Sequence, residues 1–492
     1  MTRVGIVGGG PGGLMTAYLI GQRLGDTCRV TLHEAAPDVG GKLRTRSFSS
    51  APVPYESGTA ECYDYSSLGR DPLRDLIDEL EIDTRPMHGR TVILDGTILR
   101  DDDDILRCCG EQTLRSIQEF RRRAAGLMPI DRWHPGSWEY ERSHPWAGRT
   151  CAELLETVSD PVARKYLTIA AHADLATEPH LTSGLTGIEN FVMDVPGYIA
   201  CYAIDGGMSR LAERLTARLR SAVVQCGTRV IDIERTVSNV WRVGCIRDGE
   251  YNIDEFDVLV LALPTIQLGS IEYNGDPLQS AMRAHIANYD RPGHYLRVSL
   301  LFASPFWRET LTESWFTVDG FGGTCVYDES ARHDTGRYGV LGFLIAGNEA
   351  LASMNLDEGS LVERVLETLP GELRREANEQ LLEARVHRWC GGVCGQPGGI
   401  ERRDPVIAHQ PDPEQLPGML VVGDYLFDCT LNGVYRSADL ATSLLSAHLE
   451  ELQRLQPSTI QQPSRSDDAV AKTPAQVVGS PGQAPVAIRF ER

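Results

Sequence analysis

Apolar residues near the start of the chain form two short runs that flank a stretch with helical spacing. Residues 3–7 and 29–34 are the short runs, and apolar positions recur every three or four residues over residues 14–24. A strand, a helix and a second strand in this order form a βαβ unit with parallel strands and a right-handed crossover. The pattern therefore predicts an α/β fold that begins with a parallel sheet.

The later pattern indicates a return to the domain of this sheet and a second sheet further along the chain. Apolar runs predict strands at residues 223–226, 229–233, 240–247, 258–263, 294–302, 338–346 and 419–422, and the runs at 294–302 and 338–346 would form the second sheet. Helical spacing predicts helices at residues 209–219, 361–382 and 434–452, and over most of residues 73–195 apart from an acidic turn at residues 101–104 and a Pro/Trp-rich stretch at residues 132–146.

The net charge, the longest apolar run and the cysteines indicate which partners and ligands the protein does not bind. The chain has a net charge of −20 and a pI near 5.1, and such a field repels polyanions. We therefore expect no nucleic-acid partner. The longest apolar run, Val258–Pro264, is far shorter than the ~20 residues that span a bilayer, so we expect no membrane partner. The 12 cysteines show no paired metal-binding spacing, which predicts reduced thiols in the cytoplasm and no metal site.

A glycine-rich loop follows the first predicted strand. Gly8, Gly10 and Gly13 satisfy the G-x-G-x-x-G pattern, with Pro11 and Gly12 between them. In this pattern the loop and the helix N-terminus hold a pyrophosphate, while the last glycine allows close packing of helix on strand. Glu34 follows about 20 residues later, where a carboxylate accepts hydrogen bonds from ribose hydroxyls and disfavours NADP. The loop predicts a Rossmann-type dinucleotide site for NAD or FAD.

The next residues favour FAD. Asp38–Thr45 contains Gly41 and Lys42, and this segment resembles the Gly-Gly-Arg motif of the flavin-containing amine oxidase superfamily. The lysine stands where the family has arginine, and Arg44 would offset the change. The resemblance implies non-covalent FAD and an amine oxidase-like fold, in which a Rossmann-type FAD-binding domain is interleaved with an α+β substrate-binding domain.

The resemblance extends over most of the chain. Residues 206–208 resemble the family's glycine-glycine-methionine helix start, Val230 lies on a strand similar to the one that contacts adenine, and residues 258–264 resemble the strand that leads back to the substrate domain. We expect the FAD domain to comprise residues 1–70, 200–270 and 385–455, the substrate domain residues 71–199 and 271–384, and a disordered tail residues 456–492.

Residues 420–438 carry the strongest of these similarities. Gly423 and Asp424 match a family pair whose carboxylate contacts the ribityl and pyrophosphate region. Gly433 and Val434 match the start of a helix that points its N-terminus at the flavin. A helix dipole at this place stabilises negative charge on the reduced ring.

Two residues are candidates for substrate activation. Arg297 falls at the position of a lysine that the family uses to hold a water near flavin N5, and arginine remains protonated and so cannot serve as a base. The alternative for Arg297 is a structural ion pair. Glu61 stands where L-amino-acid oxidases have an arginine; a carboxylate repels an α-carboxylate and attracts an amine. The alternative for Glu61 is a structural carboxylate.

Aromatic residues are candidates for the substrate wall. Trp389 precedes a glycine-rich stretch as in the family, and Tyr435 or Tyr425 would add a second ring beside the flavin. Core packing is the alternative for each ring. Cys394 lies closer to Trp389 than the cysteine of covalently flavinylated relatives does, which favours non-covalent FAD.

These residues predict the oxidation of a C–N bond in an amine or amide, in a small or specialised-metabolite substrate. A hydride passes to flavin N5 and O2 accepts the electrons. One alternative is a C–C desaturase or dehydrogenase similar to phytoene desaturase or protoporphyrinogen oxidase; others are an L-amino-acid oxidase and a flavin-binding scaffold without activity. The sequence is compatible with a homodimer.

Overall fold

The computed structural model describes residues 1–129, 142–193, 198–220, 222–396 and 403–455. The strands are β1 (Thr2–Val7), β2 (Cys28–His33), β3 (Thr45–Ser47), β4 (Pro54–Glu56), β5 (Cys62–Asp64), β6 (Thr84–Met87), β7 (Val92–Leu94), β8 (Thr97–Leu99), β9 (Ala200–Ile204), β10 (Ala222–Gln225), β11 (Thr228–Arg235), β12 (Trp241–Arg247), β13 (Glu250–Phe256), β14 (Val258–Leu261), β15 (Glu272–Asn274), β16 (Pro292–Phe302), β17 (Trp315–Val318), β18 (Thr324–Asp328), β19 (Gly339–Ala346), β20 (Leu381–Cys394) and β21 (Met419–Val421).

The α-helices lie between and after these strands. They are α1 (Pro11–Arg23), α2 (Pro72–Glu79), α3 (Asp102–Cys109), α4 (Glu111–Leu127), α5 (Cys151–Glu156), α6 (Pro161–Asp174), α7 (Gly184–Met193), α8 (Ser209–Ala217), α9 (Thr265–Leu268), α10 (Asp276–Tyr289), α11 (Gly347–Ser353), α12 (Glu358–Glu367), α13 (Gly371–Gln380), α14 (Pro405–Ala408) and α15 (Leu431–Leu455).

A five-stranded parallel sheet contains the predicted N-terminal βαβ unit. Its strand order is β10-β2-β1-β14-β21, and β1 pairs in parallel with β2 and β14. Val4, Ile6, Val30 and Val260 are fully buried in its core, as expected for a parallel sheet covered on both faces. The prediction of a parallel α/β sheet is confirmed.

The second large sheet has seven strands, in the order β20-β16-β19-β18-β17-β7-β8. Strands β16 and β19 lie in this second sheet, as the apolar runs predicted, and they pair antiparallel. Strand β20 continues to Cys394, so residues 385–394 belong to this sheet although the sequence placed them in the FAD domain. The other domain limits stay predictions.

Two local expectations are wrong. Residues 101–104 begin a helix instead of forming a turn: Asp101 Oδ1 accepts the Asp104 N–H at 2.9 Å, and acidic residues are favourable in a first helical turn. The helix predicted at 361–382 is two helices, α12 and α13, because Pro370 disfavours helical conformation in the residue before it.

Part of the chain lies outside these observations. The predicted disordered tail, residues 456–492, is outside the described residues. Within the described ranges, none of the helices combines the length and apolar character that crossing a bilayer requires.

Candidate functional site

A cavity of about 840 Å³ opens at the carboxyl ends of β1, β2, β14 and β21. This is the edge of a parallel sheet where ligands bind in α/β folds. Most of the residues predicted for the site line it, and they are Gly8, Gly10, Pro11, Gly12, Glu34, Gly41, Lys42, Arg44, Glu61, Val230, Trp389, Gly423, Asp424 and Val434. The volume is within the range of about 300–1,000 Å³ that is usual for ligand pockets.

The glycine loop packs tightly against the N-terminus of helix α1. A Cβ on Gly13 would lie 1.9 Å from the Gly8 carbonyl oxygen, so this helix approaches the strand only because residue 13 has no side chain. Glu34 accepts the N–H groups of Gly9 and Ala36, each at 2.7 Å. A carboxylate has about four acceptor positions, so Glu34 retains capacity for a ribose hydroxyl.

Two buried side chains of opposite charge, Lys42 and Asp424, line the cavity and bond to the end of β20. Lys42 Nζ donates to the Gly392 carbonyl oxygen, and Asp424 Oδ2 accepts the Cys394 N–H at 2.9 Å. Burial lowers the pKa of Lys42 and raises that of Asp424, while the charge of each opposes the shift of the other. The two side chains thus attach the N-terminal glycine segment and the Gly423 segment to the same stretch of β20, residues 392–394.

Helix α15 begins beside the cavity. Its first-turn residues Leu431 and Val434 are in the lining, and the Gly433 N–H donates to Thr430 Oγ1 at 3.2 Å. Gly433 is not among the described lining residues; a Cβ there would lie 2.4 Å from the Asp428 carbonyl oxygen. Its role is to let the chain turn into the helix that presents its N-terminus to the cavity.

Carboxylates cluster in the remaining part of the lining. Glu61 accepts the Tyr63 hydroxyl at 2.9 Å, and Asp174, Glu189 and Asp428 line the same cavity. Burial, with Glu61 and Asp174 adding to it, raises the pKa of Tyr63 well above its usual value. The cavity therefore has a negative electrostatic field in this region.

Aromatic rings close the cavity around these carboxylates. The Trp389 indole N–H donates to the Ser57 carbonyl oxygen at 2.7 Å, which orients its ring in the lining. Tyr63, Tyr65, Tyr295 and Tyr327 also contribute to the wall. The rings would shield a bound ligand from water.

Arg297 is not where substrate activation requires it. It is fully buried and is not among the described residues that line the cavity. Its guanidinium forms an ion pair with the equally buried Glu329 and donates from Nε to the Glu56 carbonyl oxygen at 3.2 Å. The assignment of Arg297 to substrate contact is therefore corrected, because its donors are directed to the protein itself.

The two tyrosines considered for a second aromatic wall also lie elsewhere. Tyr435 is not among the described lining residues, and it packs against the apolar core of the parallel sheet. Tyr425 is buried against the rings of His285 and Tyr289, with centroids 5.8 and 5.3 Å away. Residue 435 points away because it occupies the helix face that covers the sheet.

The sequence analysis did not identify Asp174, Glu189, Asp428, Tyr295 and Tyr327. Tyr295 lies two positions before Arg297 on β16, so strand alternation places both on one face. Asp428 lies three residues before Leu431, the first residue of α15. The others come from distant elements, and nothing in their spacing relates them to the glycine loop.

One group of potential metal ligands occurs among the described residues: the ligand atoms of His33, Cys245 and Asp254 lie within 4.8 Å of one another. Arg247 Nη2 lies 2.8 Å from Asp254 Oδ2 and 3.8 Å from Cys245 Sγ. The guanidinium thus supplies the positive charge that faces these groups, and the cluster is an ion-pair network.

Comparison with known proteins agrees with this arrangement. The model of the family described as flavin containing amine oxidoreductase matches residues 11–445. The chain belongs to this family. The protein is therefore a flavoprotein and an amine oxidase-like oxidoreductase. Among curated proteins, none matches the chain in sequence.

Solved structures share the fold at low sequence identity. A putrescine oxidase bound to putrescine has a TM-score of 0.67 and 20% identity, over 91% of this chain and 99% of that chain. Cyclohexylamine oxidase from Brevibacterium oxydans has a TM-score of 0.67 and 18% identity, over 92% and 100%. A putative protoporphyrinogen oxidase from Exiguobacterium has a TM-score of 0.64 and 16% identity, over 91% and 99%. The amine oxidase-like two-domain fold is confirmed.

Proposed function

We propose that the protein oxidises a carbon–nitrogen bond of a small amine, with FAD as cofactor and O2 as electron acceptor. The observation that carries the proposal is the acidic lining. Glu61, Asp174, Glu189 and Asp428 share one cavity with the cofactor-binding segments. Carboxylates attract a protonated amine and repel an α-carboxylate, so a simple amine is favoured over an amino acid.

The residues of the cavity fit a flavin dinucleotide. The loop at residues 8–12 and the N-terminus of α1 would hold the pyrophosphate, Glu34 an adenosine ribose, Asp424 the ribityl region, and the N-terminus of α15 the ring edge. When bound, the flavin accepts a hydride equivalent from the substrate carbon. The first and last parts of the chain supply the two ends of this binding site, residues 8–12 and residues 422–434. One cavity connects them.

The chain's own residues bind and orient the amine. Tyr63 donates its hydroxyl hydrogen to Glu61 Oε1, which orients the carboxylate so that Oε2 can accept an amine N–H. Trp389 and Tyr295 supply flat apolar surface beside it. Exclusion of water by these rings strengthens the attraction between the carboxylates and the cation.

The test is anaerobic mixing of the yellow holoenzyme with cyclohexylamine, putrescine, L-leucine and a porphyrinogen, while the absorbance of oxidised flavin is followed. We expect bleaching by at least one amine, no bleaching by L-leucine, and recovery of the colour in air. Free FAD with the same compounds is the control. Bleaching by the porphyrinogen alone would favour the C–C dehydrogenase alternative, and bleaching by L-leucine alone the amino-acid oxidase.

A further inference from the structure

The segment of residues 56–60 begins at the last residue of β4 and leads towards β5, and residues 58–60 line the cavity. The Ser57 N–H donates to the Arg44 carbonyl oxygen at 2.9 Å, and the Thr59 N–H donates to that of Lys42 at 3.0 Å. These bonds attach one face of the segment to the cofactor-binding loop. Because residues 57–60 lie outside the strands, side chains must bind their remaining buried backbone groups.

Two buried arginines hold the other face. Arg297 Nε donates to the Glu56 carbonyl oxygen at 3.2 Å, and Glu329 Oε2 accepts the Glu56 N–H at 2.7 Å. Arg332 Nη1 donates to the Ala60 carbonyl oxygen. The first and last residues of the segment are therefore attached to charged groups of the seven-stranded sheet and the turn after β18.

The burial of these two arginines destabilises the folded protein. Arg297 and Arg332 are 0% and 2% exposed. Arg297 Nη1 and Arg332 Nε and Nη2 are buried without a hydrogen-bond partner among the described residues. The two guanidiniums lie over the ring of Tyr327, 4.6 and 4.8 Å from its centroid, which compensates only in part. Apolar side chains of similar volume would be less costly in such a place.

We propose that Arg297 and Arg332 are positioning residues that form a two-point clamp on residues 56–60 and so place Glu61 and Tyr327 in the cavity. Glu61 follows the segment directly, and Tyr327 is packed beneath both guanidiniums. The clamp acts through the backbone and does not touch the substrate. The inference rests on the flavin site of the proposed function, but its first test needs no substrate.

The first test compares Arg332→Met with a matched control, Arg308→Met, in the holoenzyme. Arg308, which follows β16, pairs at 2.7 Å with Asp328, the last residue of β18, and has no described contact with residues 56–60. Hydrogen exchange of a peptide that covers residues 56–61 should become about 10-fold faster in Arg332→Met, as expected when one buried hydrogen bond to a charged donor is lost. The control should exchange at the wild-type rate. Wild-type exchange in Arg332→Met would overturn the clamp.

Melting temperature separates positioning from support of the fold. Because Arg332 carries unpaired buried nitrogens, Arg332→Met should melt no lower than Arg308→Met, and both should keep their flavin. A merely structural role predicts a large drop in melting temperature for Arg332→Met without a local change in exchange, and that result would also overturn the proposal.

The second test uses an amine that bleaches the wild-type flavin. Arg297→Met combined with Glu329→Gln removes the ion pair as a unit, so that no charge is left buried alone. The rate constant of flavin reduction should fall about 10- to 100-fold, as for a misplacement of about 1 Å, with KM nearly unchanged. Arg332→Lys should restore part of the rate lost in Arg332→Met. A raised KM at unchanged rate would show substrate contact and contradict the clamp. Failure of every amine with the wild type would count against the proposed function alone, because the exchange test stands without it.

Discussion

Protonation of His409 should destabilise the protein in mild acid. This side chain is fully buried. Its Nδ1 lies 2.6 Å from the Pro405 carbonyl oxygen, and its Nε2 lies 2.8 Å from Ser437 Oγ. Because a carbonyl oxygen only accepts, we assign the proton to Nδ1, and Nε2 then accepts from the Ser437 hydroxyl. That hydroxyl oxygen also accepts the Gly423 N–H at 3.1 Å. The neutral ring thus supports the segment that carries Asp424.

The pKa of His409 gives the size of the effect. Burial lowers this pKa from 6.5 to about 4. The folded ring therefore binds fewer protons than the unfolded one within this window, so stability is complete above pH 6.5 and is lost as the pH falls towards 4. These two pKa values correspond to about 2 kcal/mol at pH 5, and to roughly 3 kcal/mol below the folded pKa, at ~1.36 kcal/mol for each pKa unit.

The assay is urea unfolding at about pH 7 and about pH 5. His409→Gln cannot titrate, so between these pH values it should lose about 2 kcal/mol less unfolding free energy than the wild type. Ser437→Ala is the matched control: because burial is the main cause of the lowered pKa, it should keep the pH dependence of the wild type. Equal pH dependence in the wild type and His409→Gln would refute the reasoning.

Three further predictions concern the cavity. Gly13→Ala should contain little flavin, because its Cβ would lie 1.9 Å from the Gly8 carbonyl oxygen; the ratio of flavin to protein absorbance measures this, and a full complement would contradict it. Glu61→Gln should keep its flavin but undergo anaerobic reduction by amines at least about 100-fold more slowly in stopped flow; an unchanged rate would remove Glu61 from the mechanism. Tyr435→Phe should leave KM and kcat within about twofold in steady-state assays, and a larger change would place Tyr435 at the site.

The glycine-loop half of the cavity was predictable because its signals are local. A strand, a glycine loop and a helix follow one another within residues 2–23, and the conformation of each is set by nearby residues. Glu34 and Asp424 are equally accessible to sequence reasoning, since each lies within a few residues of a buried parallel strand. Parallel strands bring their carboxyl ends to one edge, so separate local predictions converge on one cavity.

The environment of Arg297 was not predictable in this way. Strand alternation gives its face of β16, but its partner Glu329 comes from a turn after another strand, as does the neighbouring Arg332. Their arrangement depends on the packing of that turn beneath residues 56–60. Without that contact, an arginine on a strand facing the substrate domain is equally compatible with a ligand site and with an ion pair.

The acidic residues that line the cavity were also not predictable from the pattern of charged and apolar positions. Asp174 ends helix α6 and Glu189 lies on α7, and charged positions on amphipathic helices usually face solvent. Here the helices turn these carboxylates into a cavity instead. The Arg297 guanidinium is held by the Glu329 carboxylate and the Glu56 carbonyl oxygen, whereas Glu61, Asp174, Glu189 and Asp428 line the cavity itself. If the proposed function is right, discrimination between substrates therefore depends on the charge of the substrate nitrogen. Binding of an amine substrate should weaken at pH values at which the amine is unprotonated.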